Sequence, residues 1–431
     1  MLTRRQTLRA LGAAGAAAPL VSACGDHGSS RADLDGSDLR LVQADVERSA
    51  GDPAAIAGVV DAIGDFTLDL WSQLPADQNL ALSPYSISVA LAMTANGARG
   101  ATARAMDDVL HLSSLASYNA GLAALTQELV GLAGPVEVNG KKGEIDLAPA
   151  NQLFGDASIH FQQAFLTVLA KMYGAGMRTV DFVGAAEQAR TLVNQWTSQE
   201  THERIPEILP RGSVNTATRL VLVNALYFKA PWAAPFEKGA TNPGAFHRAD
   251  GSSVQAQLMT TDEGPTYVAG SHFAGARLPY ADDSLAMTVA LPRGAESAAL
   301  RELLRTGLTG HGSSGLRLEM PRWTYRVATD LKEPLKALGM SVAFGDHADF
   351  SRMTAETRLA ITDVLHQTFV AVDEAGTEAA AATAVVMGET SMPVTQNELV
   401  LDRPFLFVVH DTRHGTPLFV GRVSDPSEAG R

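Results

Sequence analysis

Cysteine is nearly absent: Cys24 is the one cysteine in 431 residues. No disulfide can form within the chain, so its stability must come from a packed core. Catalytic signatures are missing as well. There is no Gly-x-Ser-x-Gly elbow, and His202-Glu203 lacks the second histidine of a His-Glu-x-x-His metal pair. The 11 histidines are scattered rather than grouped, which argues against a hydrolase and against a metal or cofactor site. Positive charge is in short supply, with 34 Lys and Arg against 47 Asp and Glu and a net charge of −13. Such a surface disfavours nucleic acid and anionic lipid as partners. Two local absences stand out: no proline from 371 to 392, and no Lys or Arg between 374 and 402.

The N-terminus reads as an address. Thr3-Arg4-Arg5-Gln6-Thr7-Leu8 is a twin-arginine pattern, followed by an Ala/Gly-rich apolar run to Leu20 and then Val21-Ser22-Ala23-Cys24. That run is too short and too rich in small residues for a transmembrane helix. Val-Ser-Ala-Cys resembles a bacterial lipobox, which implies lipidation of Cys24, removal of residues 1–23 and an exported lipoprotein at the cell surface or in the periplasm. Loss of Arg4, Arg5 and Arg9 takes the formal charge to −16. Residues 25–52 are polar, rich in Gly, Ser and Asp and without apolar periodicity, so they are expected to be a flexible tether. Residues 53–427 show no linker and no repeat, and are expected to be one large domain.

Within that domain the first half is helical in pattern. Ile56, Val59, Val60, Ile63, Phe66, Leu68 and Trp71 mark one amphipathic helix. Ser83-Pro84 opens a second, with serine as cap and proline at the first helical position. A third spans 102–110, and two more are expected at 161–173 and 185–201 around a short strand at 178–182. Residues 146–154 look only weakly strand-like because Pro149 removes a ladder donor. From residue 219 the texture changes. Arg219–Phe228 is a nearly continuous apolar run, as expected of a strand buried on both faces. Further strands are expected at 266–269, 276–281, 284–292, 316–324, 358–373, 398–401, 405–410 and 417–423, with one helix at 329–338 ended by Gly339. Helices early and strands late indicate an α+β domain built on large sheets.

Residues 371–393 combine opposing tendencies. Ala379 to Ala382 favour helix, while Thr377, Thr383, Val385 and Val386 favour strand. In an extended conformation Thr377, Ala379, Ala381, Thr383 and Val385 share one face, all small or apolar, and Glu378 falls on the other, where its charge can reach solvent. Gly376 supplies a flexible hinge. With no proline in the path, every backbone donor is available to a sheet. The stretch reads as a loop able to become a strand.

Five blocks, in order, carry a resemblance. They are Ser83-Pro84-Tyr85-Ser86-Ile87-Ser88-Val89-Ala90-Leu91; Asn224-Ala225-Leu226-Tyr227-Phe228-Lys229 with Trp232 and Pro235-Phe236; Asp330-Leu331-Lys332 with Leu338-Gly339-Met340 and Ala348-Asp349-Phe350-Ser351; Asp402-Arg403-Pro404-Phe405-Leu406-Phe407; and Pro417-Leu418-Phe419-Val420-Gly421-Arg422-Val423. Together with 374–383 they resemble the serpin family of serine protease inhibitors over about residues 55–426. The resemblance implies the serpin fold with an exposed reactive-centre loop, inhibition of serine (or cysteine) proteases as a suicide substrate rather than enzymatic activity, and a monomer that meets a membrane only through its lipid; the alternative is a non-inhibitory serpin-fold binding or scaffold protein, cleaved without trapping its protease. It implies a hinge at Glu374, Gly376, Thr377, Glu378, Ala379, Ala380, Ala381, Ala382 and Thr383. It implies a shutter, where the sheet opens, at Ser83, Ser86, Asn224 and His366, and a breach, where the loop enters, at Trp232. Family spacing puts the scissile bond at Thr390–Ser391, with Met387–Gly388 and Met392–Pro393 as alternative registers. Thr390 would suit elastase-like, subtilisin-like or chymotrypsin-like proteases; the lack of Arg and Lys excludes trypsin-like ones.

Overall fold

The computed structural model describes residues 38–310, 312–378 and 397–427, all of which belong to one compact unit. The strands in chain order are β1 (Arg40–Val42), β2 (Leu80–Leu82), β3 (Gly134–Val138), β4 (Lys141–Asp156), β5 (Met177–Val180), β6 (Leu220–Pro231), β7 (Asn242–His247), β8 (Ser253–Thr261) and β9 (Thr266–Ala269). They continue with β10 (Phe273–Pro279), β11 (Leu285–Pro292), β12 (Leu316–Pro321), β13 (Trp323–Asp330), β14 (Asp363–Val372), β15 (Gly376–Thr377), β16 (Asn397–Val400), β17 (Phe405–Asp411) and β18 (Pro417–Val423). The helices are α1 (Ile56–Trp71), α2 (Pro84–Ala95), α3 (Gly100–Val109), α4 (Leu115–Val130), α5 (Gln163–Val168), α6 (Phe182–Glu200), α7 (Glu296–Glu302) and α8 (Lys332–Leu335).

Three sheets organise these elements. The largest has eight strands, ordered β1-β5-β4-β6-β15-β14-β13 with β3 added on β4; a six-stranded sheet runs β2-β18-β17-β11-β10-β9, and a four-stranded one β16-β12-β8-β7. The expected α+β, multi-sheet fold with helices early and strands late is the one observed.

The apolar run of β6 explains its central place. Alternate side chains of a strand point to opposite faces. Val221, Val223 and Ala225 join a core with Phe182, Val193 and Trp196 around α6. Leu220, Leu222, Leu226 and Phe228 join the main core with α1 and α2. Beneath the large sheet, α2 is buried along its whole length, which its apolar circumference permits. Ser83 caps it, its Oγ accepting from the Ser86 N–H at 3.3 Å.

The central seam has an uncommon geometry. β6 and β14 run parallel, in register from Val221–Asp363 to Leu226–Thr368. Beyond Leu226 they part, and the two-residue strand β15 lies antiparallel to both, with Gly376 opposite Pro231 and Thr377 opposite Ala230 and Val372. A strand placed here exchanges one parallel ladder for two antiparallel ones, the geometry with the slightly better pairing per residue.

Several sequence expectations need correction. Residues 146–154 are the middle of β4, a 16-residue strand, despite Pro149. β5 pairs with β4 only from Leu153 onward, so Pro149 has a strand neighbour on one side only and its missing donor is tolerated. The tether does not reach residue 52: β1 pairs with β5 across Arg40–Thr179, Leu41–Arg178 and Val42–Met177, and Leu39 is fully buried. The polar composition of the surrounding residues hid that three-residue strand at the sheet edge. The helix α4 and the hairpin β7–β8 were not foreseen. In α4 the periodicity is blurred by buried Asn119 and Gly121, and a Cβ on Gly121 would sit 2.8 Å from the Ala55 carbonyl, so close packing selected a poor helix former.

Candidate functional site

Of the residues expected to form a hinge, Glu374 and Gly376–Glu378 are described, and Gly376–Thr377 pair at the top of the β6–β14 seam. Trp232, directly after β6, holds this stretch from one side: its backbone N–H donates to the Ala375 carbonyl at 3.0 Å and its indole Nε1–H to the Asp373 carbonyl at 3.0 Å. The Trp232 ring stacks on Tyr280, with centroids 4.6 Å apart and planes at 11°. Tyr280 in turn shares a hydrogen bond of 2.6 Å with the Thr377 hydroxyl. Trp232 thus contacts residues 373–377 through its backbone, its indole N–H and, by way of Tyr280, the Thr377 hydroxyl.

Glu374 and Gly376 shape the turn. Glu374 is buried; Thr241 Oγ1 donates to its carboxylate at 2.8 Å, and the Arg322 guanidinium lies 3.8 Å away. Its carbonyl accepts from the Phe236 N–H at 2.8 Å. Gly376 passes so close to β6 that a Cβ would fall 2.2 Å from the Ala230 carbonyl oxygen. Only glycine allows β15 to reach its partner.

Glu378 departs from expectation. Its backbone is left-handed, with φ of 51°, so the alternation of an extended strand ends at Thr377. Instead of reaching solvent, its side chain is 9% exposed and ion-paired with Arg204. Burial raises its carboxyl above the ordinary glutamate value, against the lowering pull of Arg204. Residues Ala379, Ala380, Ala381, Ala382, Thr383, Thr390 and Ser391, and Cys24 at the other end, lie outside the described residues.

Lower in the seam a polar row crosses three strands. Asn151 of β4 is opposite Asn224 of β6, which is opposite His366 of β14. The Ser83 backbone N–H donates to His366 Nε2 at 2.9 Å. That nitrogen must therefore be unprotonated, so Nδ1 carries the hydrogen and donates to Asn224 Oδ1 at 2.5 Å. Asn224 Nδ2 then donates to Asn151 Oδ1 at 2.5 Å. Burial pushes the His366 pKa down to about 3, keeping the ring neutral. Each link crosses from one element to another, so β6 and β14 cannot separate without breaking the His366–Asn224 bond.

The sequence placed Ser83, Asn224 and His366 in this network but not Asn151. The sequence shows an asparagine there, but only the strand register sets it opposite Asn224. Ser86 is beside the row, yet its hydroxyl is buried with no partner among the described residues; it contributes only the backbone N–H that Ser83 caps. Tyr280 and Arg204 were also missed, and no local pattern marks either. Among the described residues no group of three or more His, Cys, Asp or Glu could hold a metal ion.

The fold and site together define a three-sheet protein in which a two-residue strand, β15, pairs with both β6 and β14 above their parallel ladder. Comparison with known proteins gives that class its name. The family model of serpins (serine protease inhibitors) matches residues 61–426. A leukocyte elastase inhibitor of Sus scrofa is 34% identical over 379 residues, covering 84% of this chain and 97% of its own. An uncharacterized serpin-like protein of Thermococcus kodakarensis is 32% identical, covering 86% of both chains. The crystal structure of the thermophilic serpin tengpin in its native state superposes with a TM-score of 0.74 at 28% identity, covering 89% of this chain and 97% of that one. The chain belongs to the serpin family, whose members are protease inhibitors rather than enzymes.

Proposed function

We propose that this serpin inhibits serine proteases by strand insertion. The target's own nucleophile attacks the segment between Thr377 and Asn397 and forms an acyl-enzyme. The cut segment then continues β15 down the seam, carrying the protease with it. The observation that supports this most directly is β15 itself, two residues long and already antiparallel to both β6 and β14. Fifteen residues from Gly376 at ~3.3 Å each would span roughly 50 Å. At ~0.5–1.5 kcal/mol net per new backbone hydrogen bond, insertion contributes on the order of 10–20 kcal/mol. A protease domain is stable by only ~5–15 kcal/mol, so insertion can distort the trapped active site before the acyl bond is hydrolysed.

Thr390–Ser391 is the proposed scissile bond, and elastase-like or subtilisin-like proteases the proposed targets. The small Thr390 side chain supports this, as does the similarity to leukocyte elastase inhibitors of Sus scrofa and Bos taurus. We propose further that Cys24 is lipidated and that residues between it and Leu39 tether the inhibitor outside the cytoplasm. The test of the function is incubation of the protein with subtilisin, elastase and chymotrypsin, read by denaturing electrophoresis. A denaturant-stable complex cleaved between 387 and 393 is expected; cleavage with no covalent complex from any of the three would refute inhibition.

A further inference from the structure

Past the end of β6, β4 continues into a hairpin. It pairs with β6 from Asp146–Lys229 to Gly155–Leu220, whereas Lys141–Ile145 pair with β3, from Val138–Lys141 to Gly134–Ile145. The turn is Asn139-Gly140, both left-handed with φ of 50° and 73°, as in the type I′ turn that matches the twist of a hairpin. The base of this arm is fixed. Ile145 is 1% exposed and Val136 packs against the main core, while Gly143 lies so close to Pro231 that a Cβ would fall 3.1 Å from its ring. The tip is open: Glu137, Asn139, Gly140 and Lys142 are exposed. Lys141, beside the turn, is the outermost charge, followed by Lys142 opposite Glu137. Neither lysine has an ion-pair partner among the described residues.

Register places the arm beside the start of the segment between Glu378 and Asn397. Pro231, against which Gly143 packs, is opposite Gly376. β15 is two strands from β4, or ~10 Å, and Gly140 stands a further ~10 Å beyond Gly143. Residues 379–396 are anchored at Glu378 and Asn397, so their middle reaches at most ~30 Å from either anchor. A protease domain of about 220 residues has a radius of gyration of ~17 Å, so one that cuts this segment covers the neighbouring end of the sheet. We propose that the β3–β4 arm is a second contact surface for the target protease, its lysines meeting carboxylates beside the protease's cleft. The segment 374–402 has no Lys or Arg of its own, and the arm carries positive charge outward next to it. This rests on the reading of 379–396 as bait and adds what selects the target: the arm sets how fast a protease engages, whereas strand insertion decides whether it is trapped.

The experiment uses subtilisin, native and succinylated on its lysines so that its surface carries added carboxylates, each standardised by active-site titration. The second-order rate of cleavage of 379–396 in the full-length protein is measured at low salt and in about 0.5 M salt. Lys141→Gln/Lys142→Gln should slow the succinylated enzyme about threefold or more at low salt and the native enzyme less, and the difference should vanish at high salt. Arg358→Gln, an exposed residue before β14 at the opposite end of the sheet, should change neither rate. Deleting Glu137, Val138, Lys141 and Lys142 keeps the Asn139-Gly140 turn on a shorter hairpin and should slow the succinylated enzyme at least as much. Equal rates for the unmodified protein and both arm variants, or a loss in the lysine variant that persists undiminished at high salt, would overturn the contact. If the segment is cut but no denaturant-stable complex forms, the inhibition reading fails while the rates still decide the arm. No cleavage of 379–396 would overturn both.

Discussion

Thr377→Arg tests the docked hinge most directly. Thr377 is 3% exposed, with its hydroxyl 2.6 Å from that of Tyr280 and its backbone between Ala230 and Val372. An arginine there must either bury its guanidinium beside the Trp232–Tyr280 stack or keep the hinge out of the sheet. An unpaired charge in such a site costs several kcal/mol. Taking about 3 kcal/mol as the penalty on the first step of insertion, insertion slows by roughly 100-fold relative to deacylation. The protease would then hydrolyse the loop and leave. The assay is titration of a susceptible protease with each variant, comparing stable complex with cleaved inhibitor. The unmodified protein should give mainly complex, and Thr377→Arg mainly cleaved inhibitor with active protease. Thr377→Val provides the control: it keeps the shape and removes only the Tyr280 hydrogen bond, about 1 kcal/mol, so trapping should fall by less than tenfold. If Thr377→Arg traps as well as the unmodified protein, or Thr377→Val fails as completely, insertion does not begin at this residue.

Other expectations follow from the buried polar groups and the N-terminus. His366 and His410 are held neutral, their pKa values lowered by burial to about 3 and about 4. Depressed folded-state values mean that their contribution is present above pH ~6.5 and lost as pH falls, at about 2 kcal/mol per histidine between pH 6.5 and 5. In urea denaturation at several pH values, His366→Gln should remove about half of that acid sensitivity, and an undiminished pH slope would show that His366 is not the neutral group described. Arg422 is buried, donates to Glu296 at 2.6 Å and to the carbonyls of Pro75 and Gln78, and lies over Trp71. Arg422→Leu strands these acceptors and should cost about 3–5 kcal/mol in denaturant unfolding; a loss below about 1 kcal/mol would contradict a structural role. Cys24→Ala should move the protein from the membrane to the soluble fraction, and unchanged partitioning would remove the lipid anchor.

Much of the site could be read in the chain because its requirements are local. Gly376 announces a close backbone approach, and Ser83-Pro84 announces a helix start. The nearly continuous apolar run of β6 announces a strand covered on both faces, which proved to separate two cores. Aligning a row of polar residues across strands is a different matter: Asn151 became visible only through register, since it gains its meaning from being opposite Asn224. Composition also misled at the N-terminus, where the edge strand β1 looks like tether, and at Pro149, whose missing donor matters only if a strand is present on that side.

The sequence by itself determined the family, the glycine at the hinge, and a segment whose alternating small residues and lack of proline fit it for a sheet. Tertiary structure decided how its first residues, Gly376 to Glu378, are held. The left-handed backbone at Glu378, its pairing with Arg204 and the Thr377–Tyr280 contact involve partners roughly 100 to 170 residues away, so no local pattern could specify them. It also decided the state of His366, because a histidine's charge depends on burial and on which nitrogen meets a donor, and both were set by bringing α2, β6 and β14 together.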